Sequence, residues 1–465
     1  MTDKSFRIDI SWYFSQLSEY GDSISIVFDE ESLTYRQLIS QSNEVFKEAS
    51  ELGISVGDRV LLVGDFNPRA VCCLLALMQL RAIIIPIVES SAIRQEEIET
   101  LCEVNWVIRA RSDEDIEIER RRPGLEDLPP LHSLLQELYR RENPGLILFT
   151  SGSTGKPKAV VHDFTQLLQK FRTPARAFRT LTFLLFDHWG GLNTLLHSLV
   201  SGSLVVFPRE RSADYICRLI AKNQLELLPA SPSFLNMVLV SGAFRRHDLS
   251  SLKLITYGAE PMPPSTLRRL RSEFPNIQLK QTYGLIELGV MQTQSKSSDS
   301  LLVKLGGSGY ETRVVDGMLE IKAKSSMLGY LNAPAPFTED GFFRTGDQVE
   351  QEGEYLRILG RVSEVINVGG EKVHPAEVEN ALLGIDIVAD AVVYGSKHPI
   401  SGQIVCADIV LVDLSYDQTS ARTVIRRECG SQLEKFKVPV RIRFLHGTLS
   451  SDRQKRMRKD RGEVI

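Results

Sequence analysis

Residues 59–87 read RVLLVGDFNPRAVCCLLALMQLRAIIIPI: two strand-length apolar runs, at 59–64 and 82–87, flank a helix-length one at 68–80. A strand that is apolar on both flanks has no solvent face. It is buried on both sides, the condition of a parallel sheet covered by helices. The same texture returns at LILF (146–149), SLVVF (203–207), LKLITYG (252–258) and IQLKQTYG (277–284), with helical patterns between. Over the first three quarters of the chain this alternation predicts βαβ units and an α/β fold of doubly wound parallel sheets. Residues 109–130, RARSDEDIEIERRRPGLEDLPP, read as a charged surface excursion rather than a linker.

From about residue 340 the texture changes. LEIK (319–322), YLRILG (355–360) and EVINVGG (364–370) are short strands with Gly turns. HPAEVENALLG then predicts a helix with Pro375 in its first turn and Gly384 as its stop. Two β-rich segments, 387–394 and 403–412, and an amphipathic helix near 421–436 complete a small α+β unit. The chain therefore divides into a large domain, 1–361, and a small one, 364–465, with a hinge near 361–363.

The bulk numbers exclude several classes. A chain of 465 residues that is 43% apolar and 25% charged, with net charge −4, carries no nucleic-acid footprint. The basic tail DRQKRMRKDR (452–461) taken alone reads as a solvated face. The run 70–88 is broken by Gln79 and Arg81, and so predicts a buried helix and strand rather than a membrane span. The start lacks the apolar stretch of a signal peptide, and the six cysteines lack metal-ligand spacing. Buried reduced thiols in a cytoplasmic protein are expected, with no metal site held by protein ligands alone.

The stretch ILFTSGSTGKPK (147–158) has the composition of a phosphate loop. A Walker A loop needs GxxxxGK followed by Ser or Thr. Here Thr150 stands where the first Gly belongs and Pro157 follows Lys156, so that reading fails. The physics of phosphate binding remains. Gly152 and Gly155 admit close approach of the backbone, Thr150, Ser151, Ser153 and Thr154 supply hydroxyls, and Lys158 supplies charge.

The string TSGSTGKPKAV resembles the phosphate-loop signature of the adenylate-forming enzymes: acyl-CoA synthetases, peptide-synthetase adenylation domains and luciferase. Companion motifs follow in the family's order. LTYRQL (33–38) resembles its first N-terminal motif, and FDHWGGLNTLLHSLVSG (186–202) the segment entering the acyl pocket. TYGAEP (256–261) resembles the adenine-side loop, and QTYGLIELG (281–289) the YGxTE motif. FRTGDQVE (343–350) and GRVSEVINVGGEKVHPAEVE (360–379) resemble the RTGD motif and the hinge with its glycine loop. The resemblance spans nearly the whole chain and implies a large domain that also contains a distorted β-barrel subdomain, with a mobile C-terminal lid.

It also implies the site residues and their roles. Thr150, Ser151, Gly152, Ser153, Thr154, Gly155 and Lys158 would hold the pyrophosphate portion of ATP. Gly258, Ala259, Glu260, Thr282, Tyr283 and Gly284 would line the adenine side, with Tyr283 stacking on the base. Asp347 would grip the ribose, Arg361 would add hydrogen bonds to the nucleotide, and Glu287 would bind Mg²⁺. The acyl pocket would comprise His188, Trp189, Gly191, Tyr257, Gly258 and Thr282, with His188 preferred over Asp187 as its functional residue. Lys455 would promote adenylation, Ser363 would sit at the hinge, and Gly369 and Gly370 would line the pantetheine tunnel. These are the groups the chemistry needs, because joining a carboxylate to ATP requires cations more than an acid or base.

The implied reaction is Mg²⁺- and ATP-dependent formation of an acyl adenylate. The acyl group then passes to the thiol of CoA or of the phosphopantetheine arm of a separate carrier protein. Two departures keep rivals open, namely an amine or sugar acceptor and a non-catalytic nucleotide- or acyl-binding homologue. Ile286 stands where the family's Thr donates to the adenylate phosphate, a loss of order 10²–10³ in rate unless another hydroxyl substitutes. The terminal SSDRQKRMR (450–458) keeps Lys455 and Arg458 but has Gln454 for the family's Gly.

Overall fold

The computed structural model describes residues 7–91, 93–121, 131–150, 157–173, 175–413, 415–446 and 449. Ser151, Gly152, Ser153, Thr154 and Gly155 of the phosphate loop, and Lys455, lie outside the described residues.

The apolar run at 59–87 folds as its composition dictates. Asn67 caps the helix Pro68–Leu80 by accepting from the Ala70 amide, with Pro68 in the first turn, and Arg81 ends it in the left-handed conformation. On either side, Arg59–Val63 and Ile83–Ile87 pair in parallel, and Ile83, Ile84 and Ile85 are fully buried. They belong to a seven-stranded sheet in the order Gly329–Tyr330, Lys158–Asp163, Gly145–Thr150, Ile83–Ile87, Arg59–Val63, Trp106–Arg109, Glu117–Arg120. Its middle is parallel, and its two flanks are antiparallel.

A second seven-stranded sheet runs Gln278–Gln281, Leu254–Tyr257, Leu227–Ala230, Thr180–Leu181, Val205–Phe207, Ile24–Phe28, Glu31–Thr34 and is parallel except at its last strand. The expected barrel subdomain is a six-stranded antiparallel sheet built from Gln292–Ser295 through Tyr355–Arg361.

Part of the surface excursion turns out to be structured. Glu117–Arg120 pairs with Trp106–Arg109 as an edge strand, because alternating Ile116 and Ile118 pack on the core while the charges between them face water.

After a short 3₁₀ turn at Val362–Glu364 come the hairpin Ile366–Val368/Glu371–Val373, the helix Pro375–Leu383, the long antiparallel pair Val388–His398 and Gly402–Leu411, the helix Gln418–Gln432 and the strand Arg441–Phe444. These elements enclose a hydrophobic core of their own around Val378, Leu382, Val393, Ile409 and Ile425. They meet the preceding part where Asn236 donates to the Ala389 carbonyl at 3.0 Å and the Ser265 amide donates to Asn380 at 3.2 Å. All six cysteines are buried thiols, and burial pushes Cys72 up to about 11. Among the described residues no helix is long and apolar enough to cross a membrane.

The strand Lys158–Asp163 is anchored at its far end by Asp163, which is buried. Its carboxylate takes Arg141 at 3.1 Å, Asn143 at 3.0 Å, and both the amide and the hydroxyl of Thr165, at 3.1 and 2.5 Å. Asp163→Ala leaves the buried Asn143 and Thr165 donors without their acceptor, while the half-buried Arg141 keeps Glu137 at 3.0 Å. It should destabilise the protein by about 2–4 kcal/mol, measured as a lowered denaturant midpoint at unchanged slope.

Candidate functional site

The carboxyl-end loops of the second sheet, the antiparallel sheet and the Lys158–Asp163 strand converge on one region. Gly258 and Ala259 form its tightest turn. A Cβ on Gly258 would lie 2.5 Å from the Thr282 hydroxyl and 2.7 Å from the Thr282 carbonyl, so any larger residue is shut out. Ala259 adopts φ +69°, a left-handed conformation costly for a residue with a side chain. Thr282 is locked beside them, with its amide (2.7 Å) and hydroxyl (3.1 Å) both donating to the Tyr257 carbonyl. The Glu260 carboxylate turns away to the start of the helix Pro232–Ser241, accepting from the Ser233 amide (3.3 Å) and hydroxyl (2.9 Å).

Across this turn lies a chain of charged and phenolic groups. The buried Tyr283 hydroxyl donates to Asp347 Oδ2 at 2.5 Å, and Arg361 Nε approaches Asp347 Oδ1 at 3.3 Å. The pair is built into the sheet, since Asp347 and Arg361 are register partners on adjacent strands. Burial pushes the Asp347 carboxyl above its usual range, while Arg361 and the Tyr283 hydroxyl pull it back. Burial draws the Arg361 guanidinium down, but Asp347 and Glu287 outweigh it and the cation is reinforced. Glu287 accepts from the Tyr330 hydroxyl at 2.8 Å, and Lys158 stands over the Tyr330 ring at 5.0 Å. Lys158, Tyr330 and Glu287 thus form one run of contacts and Tyr283, Asp347 and Arg361 another, and Arg361 feels the charge of Glu287.

His188 caps the helix Trp189–Val200. Its Nδ1 accepts from the Gly190 amide at 3.0 Å, which leaves Nε2 as the protonated ring nitrogen. Gly191 is where this helix crosses the preceding loop, since a Cβ there would meet the Leu185 carbonyl at 2.3 Å. Trp189 packs inward, edge-on to Phe164, and Tyr257 is equally buried in the second core. Of the expected acyl-pocket residues, His188, Gly258 and Thr282 keep exposed surface, while Trp189, Gly191 and Tyr257 are buried.

Gly284 opens a tight hairpin, where a Cβ would sit 2.8 Å from the Gly289 carbonyl. Ser363 is exposed in the 3₁₀ turn. Gly369 and Gly370 have φ +62° and +96°, and a Cβ on either would meet nothing within 4 Å, so backbone conformation rather than room requires glycine there.

Three residues of this region carry no motif. Tyr330 holds Glu287. Asn332 clamps the end of the phosphate loop, accepting from the Ala159 amide (3.0 Å) and donating to the Pro157 carbonyl (2.8 Å). His162, driven by burial down to about 4 and therefore neutral, holds the Ile286 carbonyl through Nε2 at 2.7 Å. Among the described residues there is no cluster of three or more His, Cys, Asp or Glu able to hold a metal by itself.

The AMP-binding enzyme family model matches residues 13–329, and the AMP-binding enzyme C-terminal domain model matches 377–454. The chain is similar to triostin synthetase I of Streptomyces triostinicus (28% identity over 91% of this chain and 88% of that protein). It is also similar to the long-chain-fatty-acid–CoA ligase FadD13 of Mycobacterium tuberculosis (26%, 94% of each) and to 2-succinylbenzoate–CoA ligase of Bacillus cytotoxicus (25%, 98% of each). Its fold matches that of the anthranilate CoA ligase AuaEII in complex with anthranoyl-AMP, with TM-score 0.77, 18% identity and 95% of each chain covered. ATP-bound MatB from Rhodopseudomonas palustris gives TM-score 0.74 at 21% identity, covering 93% of this chain and 94% of that one. The chain belongs to the AMP-binding enzyme family and is an adenylate-forming ligase.

Proposed function

We propose that the protein is a cytoplasmic ligase that joins a small carboxylic acid to the thiol of CoA, or of a carrier protein's phosphopantetheine arm, through an acyl adenylate. The observation that carries this reading is the Tyr283–Asp347–Arg361 link, in which a buried carboxylate is held by a phenol and a guanidinium. A buried carboxylate so fixed suits the two ribose hydroxyls.

In the first step a carboxylate oxygen attacks the α-phosphorus of ATP. The new P–O bond forms as the bond to pyrophosphate breaks, and negative charge passes to the leaving group. Lys158 and the 150–155 loop hold that group, Arg361 faces the nucleotide, and Lys455 brings a cation to the transferring phosphate. Glu287 offers a single carboxylate, oriented by Tyr330, which fits a Mg²⁺ ion that takes its other ligands from phosphate and water. When bound, that ion neutralises phosphate charge. In the second step a thiolate attacks the acyl carbon, the C–S bond forms, the acyl–O bond breaks and AMP leaves. Domains 1–361 and 364–465 turn about 361–363, with the exposed 3₁₀ turn at Ser363 as the hinge and Gly369–Gly370 admitting the thiol arm.

ATP–pyrophosphate exchange across a panel of carboxylic acids, with and without CoA, tests this directly. Exchange with at least one acid, and AMP as the product nucleotide, are expected. ADP as product overturns the reading, and product formed without a thiol moves the acceptor to an amine or sugar. Lys455→Ala should suppress adenylate formation by about 10²-fold or more and leave transfer from a supplied acyl adenylate nearly intact. Equal losses in both half-reactions would remove that role from Lys455. Tyr330→Phe releases Glu287 from its phenolic partner and should raise the Mg²⁺ concentration for half-maximal exchange about 10-fold, with the KM for the acid unchanged.

A further inference from the structure

Every residue of the helix Trp189–Val200 is buried except Gly190, Asn193, Thr194 and His197. They recur at spacings of three and four, so they form one stripe on one face, starting just after His188. An otherwise buried helix that keeps one accessible stripe lines a space. The stretch 279–284 repeats the pattern with a strand's period. Lys280, Thr282 and Gly284 stay partly accessible, while Leu279, Gln281 and Tyr283 between them are buried. Thr282 packs on Gly258 at the adenine side, and Lys280 lies two residues back along the same face, its charge felt by His197.

The inner end of this slot is cationic. Lys170, on the 3₁₀ turn Gln169–Arg172, reaches in and donates from Nζ to the Asn193 side-chain oxygen and to the Val290 carbonyl at 2.9 Å. Both of its partners are neutral, and neither Lys170 nor Lys280 forms an ion pair with a carboxylate among the described residues. Burial draws the Lys170 ammonium down to about 7. His197, which packs against Phe171, is driven by burial and then by Lys170 and Lys280 down to about 4, so it stays neutral and adds no charge. A buried ammonium without a counter-ion is costly, and its cost falls when an anion arrives.

We infer that the acyl pocket takes a dicarboxylic acid, whose distal carboxylate is bound by Lys170, with Lys280 and Asn193 beside it, while the other carboxylate is presented near His188 for adenylation. This inference rests on the adenylating reading above and names the substrate class of that site. It also explains the direction of the slot. The reacting end lies at His188, before the first turn of the Trp189–Val200 helix, and the recognition end lies at Asn193, a little more than one turn along it.

The test uses matched acids in ATP–pyrophosphate exchange: hexanoate against adipate, and 3-phenylpropanoate against 3-(2-carboxyphenyl)propanoate. In the wild-type enzyme at least one diacid should exceed its monoacid by about 10-fold or more in kcat/KM, because a site built for a polar group rejects an analogue lacking it. Lys170→Met should remove that preference, the kcat/KM for the diacid falling, chiefly through KM, by about 10-fold more than that for the monoacid. Lys170→Arg should retain the preference, and Lys170→Glu should transfer it to 6-aminohexanoate. Monoacids equal to or better than diacids in the wild type, or equal loss for both in Lys170→Met, would overturn the inference and leave adenylation standing. Absence of exchange with every acid of both series would overturn the adenylating reading and the inference with it. The wild-type comparison decides even where a variant does not fold.

Discussion

The architecture of the site depends on one strand running against the grain of its sheet. Lys158–Asp163 pairs antiparallel with Gly145–Thr150, so the chain enters and leaves the phosphate loop at neighbouring positions, Thr150 opposite Lys158. The same strand reaches sideways to everything else. The Leu328 amide donates to the Val161 carbonyl and the Leu331 amide to the Ala159 carbonyl, which sets Tyr330 beside Lys158. His162 fixes the Ile286 carbonyl, so Glu287 is held from both its neighbour's backbone and its own side chain. At the far end Asp163 gathers Arg141, Asn143 and Thr165. A slip of one residue in this strand would invert every one of these contacts, and the buried partners on both faces prevent it.

The parts of the fold legible in the sequence are those set by local physics. The helix Pro68–Leu80 falls where Asn67, Pro68 and an unbroken apolar run place it, and the helix Pro375–Leu383 lies between its Pro375 and Gly384. The apolar strands are legible for the same reason, because burial on both faces leaves no room for a polar residue. The Glu117–Arg120 strand reads as excursion because charge dominates its composition, whereas its alternation, with isoleucines inward, is what pairs it to the sheet edge. In the site, Asp347 and Arg361 lie in motifs, yet their opposition follows from strand register, which no local spacing expresses. Tyr330, Asn332 and His162 escape a reading of motifs because each acts on a residue 43 to 175 positions away. Nothing near them in sequence marks the partner. Trp189 and Tyr257 show the reverse case. Each sits inside a motif, but its ring serves the core, and what it contributes locally is the position of the backbone.

Ile286 is where these constraints meet. Its side chain, placed where the family's pattern has a hydroxyl, packs partly buried between two hydrophobic clusters, while its carbonyl is fixed by His162. The two hydroxyls of the same motif are already committed, since Thr282 donates to the Tyr257 carbonyl and Tyr283 to Asp347. Neither position 286 nor these two supplies a free neutral donor, so in the proposed reaction the charge that builds on the phosphate would fall to the hydroxyls of the 150–154 loop and to the cations Arg361, Lys158 and Lys455. Cations act over longer distances than a hydroxyl and tolerate looser geometry, since their attraction declines only with the inverse of separation in a site of low dielectric. On the proposed reading, Ile286 and Lys455 would be two sides of one arrangement, in which long-range charge would replace the positioned hydrogen bond of the pattern this chain departs from.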